Sequence, residues 1–411
     1  MDQKKLHRTI ENIASKKFSD EQEMLISVLD QIVYDKTFHI TGGRIWKLEP
    51  SIQSYKLLYQ TGLMEKIDPK FKIRLKNYPE FDRIEKERTI LADETLTELK
   101  RKGIFKYSAT GVGSKIKLNN KIYYEYIFAL NSDSLDEEFR LNMSIIATAL
   151  TSQIKQRRIL ASASNLKADI DKARQLQRSI LPEHEYHFNS YEIFGLTHPA
   201  EIVGGDFFDY LEIGEDKDRL AIAVGDAASK GVAAAAEAMY ISGALRMASN
   251  FEIKITPLMK KMNQLVNKIF EDDKFSSLFY GEISIDKKGL FLYTNAGHNP
   301  PIFYNSRKNK IEYLMVTGPV LGPVPHAKYD IESINIYPND ILLIFTDGII
   351  ESTNSQGEAY PEIRLVQLLK QNKEKSPKEI AMIILDDILK FNKNGTYSDD
   401  KTMVIIKRTK F

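Results

Sequence analysis

Apolar residues recur three or four positions apart through residues 1–38, which is the spacing of one face of an α-helix. Short runs of apolar, β-branched and aromatic residues follow, and they predict strands at 44–48, 55–59, 105–108 and 122–130. The pattern over residues 89–102 predicts a helix between these strands. The order helix, strands, helix, strands is typical of a small α+β module.

One long helix is predicted from about residue 135 to residue 181, and Pro182 ends it because proline cannot continue a helix. Over its later part, apolar residues alternate in steps of four and three, at Ile159, Ala163, Leu166, Ile170, Ala173 and Ile180. The position expected near 177 holds Gln177. This seam predicts a two-stranded coiled coil, and therefore a homodimer through the linker helix. The alternative is a single helix that packs on a domain.

After Pro182 the pattern changes to shorter segments. Strands are predicted at 191–197, 219–224, 278–285, 290–295, 302–304, 311–315, 331–336, 341–345 and 402–406. Helices are predicted at 231–249, 257–271, 361–371 and 377–391, and hairpin turns at 286–289 and 306–310. Thr256 and Ser376 are the predicted caps of the second and fourth helices. Many strands with grouped helices predict antiparallel sheets covered by helices rather than a βαβ repeat.

Length and composition predict domain boundaries and exclude several kinds of site and partner. The 411 residues are enough for two or three domains, with boundaries expected at 1–134, 135–182 and 183–411. The net charge of +2, without a clustered basic face, predicts no nucleic-acid partner and no anionic membrane partner. The absence of cysteine excludes disulfides, thiolate nucleophiles and iron–sulfur clusters. Neither a secretion signal nor an apolar run of about 18 residues is found, so the expected location is the cytoplasm.

Four sites in the C-terminal part place aspartate at the end of an apolar strand. They are Asp206 after Gly204-Gly205, Asp226 after Gly225, Asp347 before Gly348, and the pair Asp399-Asp400 before the last strand. Any one of them alone is more often a turn, because aspartate readily bonds its own backbone there. Together, several carboxylates at buried strand ends need a compensating positive charge.

Divalent metal ions would supply that charge. Hard ions such as Mg²⁺ and Mn²⁺ prefer oxygen ligands and water, and the flanking glycines allow close approach of the backbone. Two such ions about 3.5–4 Å apart can activate a shared water and hold a phosphoryl group for in-line attack. The aspartates therefore predict a two-metal site.

Five motifs follow one another along the C-terminal part of the chain, in the same order as in a known protein family. They are Val203-Gly204-Gly205-Asp206-Phe207-Phe208-Asp209, Gly225-Asp226-Ala227-Ala228-Ser229-Lys230-Gly231, Asn295-Ala296-Gly297-His298-Asn299-Pro300-Pro301, Phe345-Thr346-Asp347-Gly348 and Asp399-Asp400-Lys401-Thr402. Over about residues 174–408 the chain resembles the PPM-type metal-dependent phosphatases, in the bacterial branch of the sporulation phosphatase SpoIIE and the stress-response phosphatase RsbU. The resemblance implies an α+β fold, an αββα sandwich of two antiparallel sheets flanked by helices.

The resemblance also implies roles for the site residues. Asp226 would bridge two Mn²⁺ or Mg²⁺ ions, and the backbone carbonyl of Ala227 would be a further ligand. Asp206 would serve one ion largely through water, while Asp347 and Asp399 would complete the other. Asp209 and Asp400 would be outer or optional ligands.

Two departures from the family pattern bear on activity. Ala227-Ala228-Ser229 replaces the usual Val-Ser-Gly, so that a serine stands where a flexible glycine is usual, and Lys401 replaces an apolar residue. No proposed carboxylate is lost. The resemblance therefore implies a serine/threonine phosphatase acting on a phosphorylated regulatory protein, such as an anti-sigma factor antagonist. The alternative is a silent, phosphatase-fold adaptor that binds signalling partners.

The N-terminal module resembles a GAF-type sensory domain in its element order, with a PAS-like domain as the alternative. A small ligand or a partner protein at this module would then control the phosphatase through the linker helix. Residues 109–115 carry glycines and a lysine but lack the spacing of a phosphate-binding loop. They are predicted to form a hairpin turn, which leaves a nucleotide-binding kinase without support.

Overall fold

The computed structural model describes residues 18–35, 39–132, 135–270, 274–285, 288–395 and 399–409. The chain divides into two compact units, Met1–Asn165 and Leu166–Phe411. The predicted helix over residues 1–38 and the predicted turn at 286–289 therefore lie partly outside the described residues. None of the helices in the described part of the chain has the length and apolarity needed to cross a bilayer.

The N-terminal unit is an antiparallel sheet with helices on both faces. Its helices are α1 (Glu21–Tyr34), α2 (Glu80–Glu87) and α3 (Thr97–Arg101). Its strands are β1 (Ile40–Glu49), β2 (Ser54–Gly62), β3 (Lys72–Arg74), β4 (Thr89–Asp93), β5 (Lys106–Leu118) and β6 (Lys121–Ser132). Within the described residues the strand order is β3-β2-β1-β6-β5-β4.

Side-chain alternation along β1 shows how the two faces are filled. Ile45 packs in the cluster formed with α1 and the first part of the long helix, whereas Trp46 and Leu48 pack in the cluster beneath α2 and α3. A Cβ atom on Gly43 would lie 2.5 Å from a methyl carbon of Leu29, so glycine is what lets α1 approach the strand closely.

Two predictions for this unit are wrong. Residues 89–102 do not form one helix, because 89–93 pair with β5 as the edge strand β4 and only α3 is helical. Residues 109–115 are not a turn but lie within β5. Glycine at position 111 lets the ring of Tyr124 pack against the strand, since a Cβ on Gly111 would lie 2.1 Å from that ring. In both places tertiary pairing overrides local propensity.

The predicted long helix is confirmed as α4 (Glu137–Ile180), whose 44 residues contain neither glycine nor proline. Its first part buries apolar residues such as Met143 and Leu150 in the N-terminal unit. Further along, Ile159 and Leu166 of the predicted seam are 58% and 62% exposed. The coiled coil and the dimer that it implies stay predictions.

The C-terminal unit is a sandwich of two antiparallel sheets. Its helices are α5 (Gly231–Ser249), α6 (Ile255–Ile269), α7 (Glu362–Gln371) and α8 (Pro377–Phe391). Its strands are β7 (Glu185–Phe188), β8 (Tyr191–His198), β9 (Asp206–Ile213), β10 (Arg219–Ala227), β11 (Ser276–Ser284), β12 (Leu290–Ala296), β13 (Ile302–Asn305), β14 (Lys310–Tyr313), β15 (Glu332–Asn335), β16 (Ile341–Phe345) and β17 (Lys401–Arg408).

The two sheets and the helices form four layers, because side chains alternate between the two faces of each strand. Among the described residues one sheet has the order β15-β12-β11-β10-β9 and the other the order β14-β13-β16-β17-β8-β7. One face of each sheet meets the other sheet, where Phe208, Val224 and Val404 belong to a shared core. The outer faces pack against α5 and α6 on one side and against α7 and α8 on the other. The predicted αββα architecture is confirmed.

Helix starts were predicted with mixed success. Ser376 caps α8 with a capping box, in which its hydroxyl accepts from the Glu379 N–H and the Glu379 carboxylate accepts from the Ser376 N–H. The predicted cap Thr256 is wrong, because α6 begins at Ile255 with Lys254 at the cap position. Strand β9 was missed because charged residues interrupt its apolar pattern, including Asp209 in its middle.

A matched pair of glycine substitutions tests the packing of the C-terminal unit. A Cβ on Gly281 in β11 would lie 2.2 Å from the ring of Phe291, so Gly281→Ala is expected to lower the free energy of unfolding by about 1–3 kcal/mol. A Cβ on Gly243 in α5 would meet nothing within 4 Å, so Gly243→Ala should raise it by about 0.5–1 kcal/mol. Calorimetric unfolding of both variants measures the difference, and equal shifts would contradict this packing.

Candidate metal centre

Two carboxylates enter the site from one sheet. Strand β9 begins at Asp206, β10 ends one residue after Asp226, and the antiparallel register places Asp226 directly opposite Asp206. Cross-strand partners project to the same face of a sheet. Two residues further into the strands, Phe208 and Val224 belong to the core between the sheets. Both aspartates therefore stand at one end of that core.

The second sheet brings further carboxylates to the same end. Strand β16 ends at Phe345, directly before Thr346 and Asp347, and pairs with β17, which Asp399 and Asp400 precede. Asp226, Asp347, Asp399 and Asp400 line one pocket of about 260 Å³, together with Ala227. The structure thus brings these five predicted site residues into one pocket, with Asp206 buried behind them.

The electrostatics of this cluster are unfavourable without a cation. Burial, followed by repulsion from Asp347 and Asp399, raises the pKa of Asp226 to about 7. The pKa of Asp206 is raised well above its usual value by complete burial and by the neighbouring carboxylates of Asp226 and Asp400. Burial also raises the pKa of Asp347. Desolvation and like charge act in the same direction here, so a bound cation would stabilise the ionised forms.

Hydrogen bonds fix the position of Asp206 between the sheets. The Thr346 hydroxyl of the second sheet donates to Asp206 Oδ2 over 2.7 Å, and the same hydroxyl oxygen accepts from the Thr402 N–H at 3.1 Å. One threonine therefore joins the ends of β16, β17 and β9. The sequence motif contained Thr346 but gave no signal for this role.

Asp400 holds the loop that leads into β9. Its carboxylate accepts from the backbone N–H of Ala200 at 2.8 Å and of Gly205 at 2.7 Å. A Cβ on Gly204 would lie 1.9 Å from Asp400 Oδ2, and a Cβ on Gly205 would lie 2.8 Å from the carbonyl oxygen of Ala227. The two glycines are thus required for close approach of the loop to both groups.

Asp209 is not at this site, contrary to its predicted role as an outer ligand. It lies three positions after Asp206, and an odd separation along a strand turns a side chain to the opposite face. There the guanidinium of Arg246 donates to its two carboxylate oxygens over 2.5 and 3.0 Å, and the Ser242 hydroxyl donates over 3.1 Å. Arg246 Nη2 also donates to the carbonyl of Ile180, at the end of α4.

Two residues at the site were missed by the sequence reasoning. Glu351 lines the pocket four residues after Asp347 and its N–H donates to the Asp347 carbonyl at 2.8 Å. Gln177 of α4 pairs with Gly204 through both halves of its amide. Its Nε2 donates to the Gly204 carbonyl at 2.6 Å, and the Gly204 N–H donates to its Oε1 at 3.3 Å. The polar residue at an expected apolar seam position was the available signal for Gln177.

The residues that depart from the family pattern have defined partners. The Ser229 hydroxyl donates to buried Glu237 of α5 at 2.8 Å, and Lys274 forms an ion pair with the same carboxylate at 3.3 Å. The loop after Asp226 is thereby anchored to α5. Lys401 is 1% exposed, and its ammonium group donates to the Asp399 carbonyl at 3.0 Å.

The donor set suits hard divalent cations. All the groups are carboxylate or carbonyl oxygens, which Mg²⁺ and Mn²⁺ prefer. Among the described residues, no three histidine, aspartate or glutamate side chains are grouped so as to hold one ion by themselves. Mg²⁺ usually keeps several waters and binds only one or two carboxylates directly. A pocket of about 260 Å³ has room for such waters.

Comparison with known proteins gives a family match for this part of the chain. Residues 216–409 match the family described as Stage II sporulation protein E (SpoIIE). Protein IcfG of Synechocystis sp. is 28% identical over 269 residues, which cover 59% of this chain and 42% of that protein. The phosphoserine phosphatase RsbU of Bacillus subtilis is 25% identical over 244 residues, which cover 59% of this chain and 71% of RsbU. The match therefore spans less than half the length of IcfG.

The fold is also found in solved structures. The SiaA-PP2C domain of Pseudomonas aeruginosa superposes with a TM-score of 0.50 and 19% identity, over 60% of this chain and 98% of that domain. The C-terminal unit therefore has the fold of a PP2C domain, with a carboxylate cluster at one end of its sandwich. The stretch that matches the SpoIIE family lies within the C-terminal unit. The GAF-like assignment of the N-terminal unit stays a prediction.

The raised pKa of Asp226 has a consequence for stability that can be measured. Because the carboxyl group titrates near 7 in the folded protein and near 3.8 when unfolded, the folded state holds the proton more tightly between these values. The metal-free protein should therefore lose stability as the pH rises from about 4 to 7. Asp226→Asn should flatten this part of the profile and should unfold at a higher temperature than the metal-free wild type at pH 8.

The measurement is thermal unfolding against pH, with and without Mn²⁺. Saturating Mn²⁺ should stabilise the wild type at pH 8 and should leave Asp226→Asn unchanged. Asp216→Asn is the matched control, because Asp216 is exposed in the loop between β9 and β10. An unfolding temperature of metal-free Asp226→Asn below that of the wild type at pH 8 would contradict the electrostatic picture.

Proposed function

We propose that the C-terminal unit is a metal-dependent protein phosphatase that removes phosphate from phosphoserine or phosphothreonine of a regulatory protein. The observation that carries the proposal is the convergence of Asp226, Asp347 and Asp399 in one open pocket at the end of two packed sheets. The chain contains no cysteine, so a cysteine-based phosphatase mechanism is excluded. The similarity to RsbU, which is named a phosphoserine phosphatase, supports the substrate class.

The residues predicted from the sequence have separate roles in this proposal. Asp226 would bridge two Mn²⁺ or Mg²⁺ ions, Asp206 and the Ala227 carbonyl would hold one of them, and Asp347 and Asp399 would hold the other. Bound ions of this kind lower the pKa of water and polarise a phosphoryl group. Thr346 would keep Asp206 oriented, and Asp400 would keep the Gly204-Gly205 loop in place rather than bind metal directly.

The pocket also fits a phosphorylated side chain on a protein better than a small apolar substrate. Its walls are formed largely by carboxylates and by backbone of the loops at 200–205 and 226–231, and it opens at the edge of the sandwich. An anion reaches such a site only when cations occupy it, since the carboxylates alone would repel phosphate. The proposed metal ions therefore supply both binding and reactivity.

Control by the N-terminal unit would act through the end of α4. Gln177 holds the Gly204 backbone, and the Ile180 carbonyl accepts from Arg246, whose guanidinium also binds Asp209. A displacement of this helix end would shift the loop that carries Asp206. Pairing of two chains along the exposed seam would give the helix a partner, which is the homodimer expected from the sequence. The cytoplasmic location also stays a prediction.

A second candidate function is a silent adaptor with the same fold. It is favoured by one observation, the anchoring of Ser229 to Glu237, which restrains the loop that follows Asp226. An adaptor would bind a phosphorylated partner without turnover.

Hydrolysis of para-nitrophenyl phosphate with Mn²⁺, and then of a phosphorylated anti-sigma factor antagonist, tests the proposed activity. Asp226→Asn should reduce the rate at least about 100-fold, because metal ions contribute several kcal/mol of transition-state stabilisation. Asp216→Asn should keep the wild-type rate. Equal, background-level rates for the wild type and Asp226→Asn on both substrates would refute the enzyme and support the adaptor.

Substitution of Gln177 tests the control proposal. Gln177→Leu removes two hydrogen bonds to Gly204 and should weaken Mn²⁺ binding about fivefold or more, since one such bond contributes on the order of 1 kcal/mol. Calorimetric titration with Mn²⁺ measures the affinity in the full chain. Ser179→Ala is the matched control, because the exposed Ser179 hydroxyl bonds only to the Leu176 carbonyl within the same helix. Unchanged affinity in Gln177→Leu would show that the helix end does not position the loop.

A further inference from the structure

The N-terminal unit contains a cavity of about 40 Å³ between its sheet and the helices α2 and α3. Its walls are mainly apolar, with Trp46, Phe81 and Ile127 among them, yet Arg44 and Glu94 also line it. A cavity of this size has room for a few water-sized groups, since one water needs about 10–15 Å³. A cationic side chain in the wall of an otherwise apolar cavity requires an explanation.

Arg44 is buried and forms no ion pair with the described residues, although the charge of Glu94 acts on it from across the cavity. It is 5% exposed and projects from β1 on the same face as Trp46. Its Nη1 donates to the amide oxygen of Asn131 at 2.6 Å, whereas Nε has no acceptor. No carboxylate among the described residues lies within ion-pair distance of its guanidinium. Burying an unpaired charge costs several kcal/mol, and the guanidinium stays protonated at any ordinary pH.

Glu94 does not fill the role of counterion. Its carboxylate accepts from the N–H groups of Thr95 and Leu96, both at 2.8 Å, and from the Tyr78 hydroxyl at 3.1 Å. The Tyr107 hydroxyl lies 2.7 Å from that of Tyr78 and extends this network. Glu94 is thereby held by its own loop and by tyrosine hydroxyls. Arg44 Nε is left as a buried donor without an acceptor, in a side chain that lines the cavity.

We propose that this cavity binds a small aliphatic carboxylate, such as acetate or propionate. The carboxylate would accept from the Nε and Nη2 edge of Arg44, the planar two-donor arrangement that matches carboxylate geometry. The one or two carbon atoms of the tail would lie against Trp46 and Ile127. Waters alone could solvate the guanidinium but would not form an ion pair with it. The proposal does not depend on the phosphatase activity of the other unit.

The position of Trp46 gives a direct readout, because it lines the cavity and is the only tryptophan of the chain. Titration of the full-length protein with sodium acetate and with sodium propionate should change the Trp46 emission saturably and raise the unfolding temperature of the N-terminal unit. Sodium chloride at equal ionic strength and the neutral isosteres acetamide and propionamide should have neither effect. Responses to the amides equal to those of the acids would overturn the proposal.

Variants assign the effect to Arg44. Arg44→Met should abolish the saturable response and should unfold at the same temperature as the ligand-free wild type or higher, because it removes an unpaired buried charge. Arg44→Lys should weaken binding at least about tenfold, since an ammonium group lacks the two-donor edge. Arg83→Met, at an exposed position of α2, should respond as the wild type does. A response kept in Arg44→Met, or absent in the wild type, would overturn the proposal.

If Arg44→Met does not fold, the comparison of acids with amides on the wild type decides alone. Saturation by the acids only would support the proposal, and any other outcome would overturn it.

Discussion

The repulsion among carboxylates gathered at one end of the sandwich is the constraint on which the C-terminal unit depends. Asp226 faces Asp206 across two strands of one sheet, and Asp347 and Asp399 approach from the other. Burial and mutual repulsion raise the cost of ionising Asp206 and Asp226. Packing of the two sheets holds the carboxylates together, so the folded protein favours the binding of cations at this place.

The site is consequently a product of both sheets rather than of any one motif. Thr346 joins Asp206 to the ends of β16 and β17, and Asp400 joins the start of β17 to the loop before β9. The close approaches at Gly204 and Gly205 are possible only because neither residue has a side chain. Separation of the sheets would disperse the donor atoms even if every strand stayed intact. Metal binding should therefore stabilise the packing of one sheet against the other.

The sequence allowed the architecture and the acidic residues to be predicted because both leave local signals. Apolar runs ending in Asp-Gly mark strand ends, and the helices at 231–249 and 377–391 were bounded correctly. Errors arose where long-range contacts decide the outcome. Residues 89–93 are strand only because β5 lies beside them, and Asp209 faces α5 because alternation turns it away from Asp206. No local sequence pattern predicted that the guanidinium of Arg44 would be buried without an ion pair.

The unbroken course of α4 has a further consequence for how the site is specified. A helix without glycine or proline has no built-in point of bending, so its angular phase is conserved along its length. Each residue advances that phase by about 100°, since a turn holds 3.6 residues. Inserting one residue between Gln177 and Ile180 would turn the Gln177 amide by about 100° relative to the Ile180 carbonyl, so their contacts with Gly204 and Arg246 could not both form. The end of α4 thus encodes rotational register as well as distance.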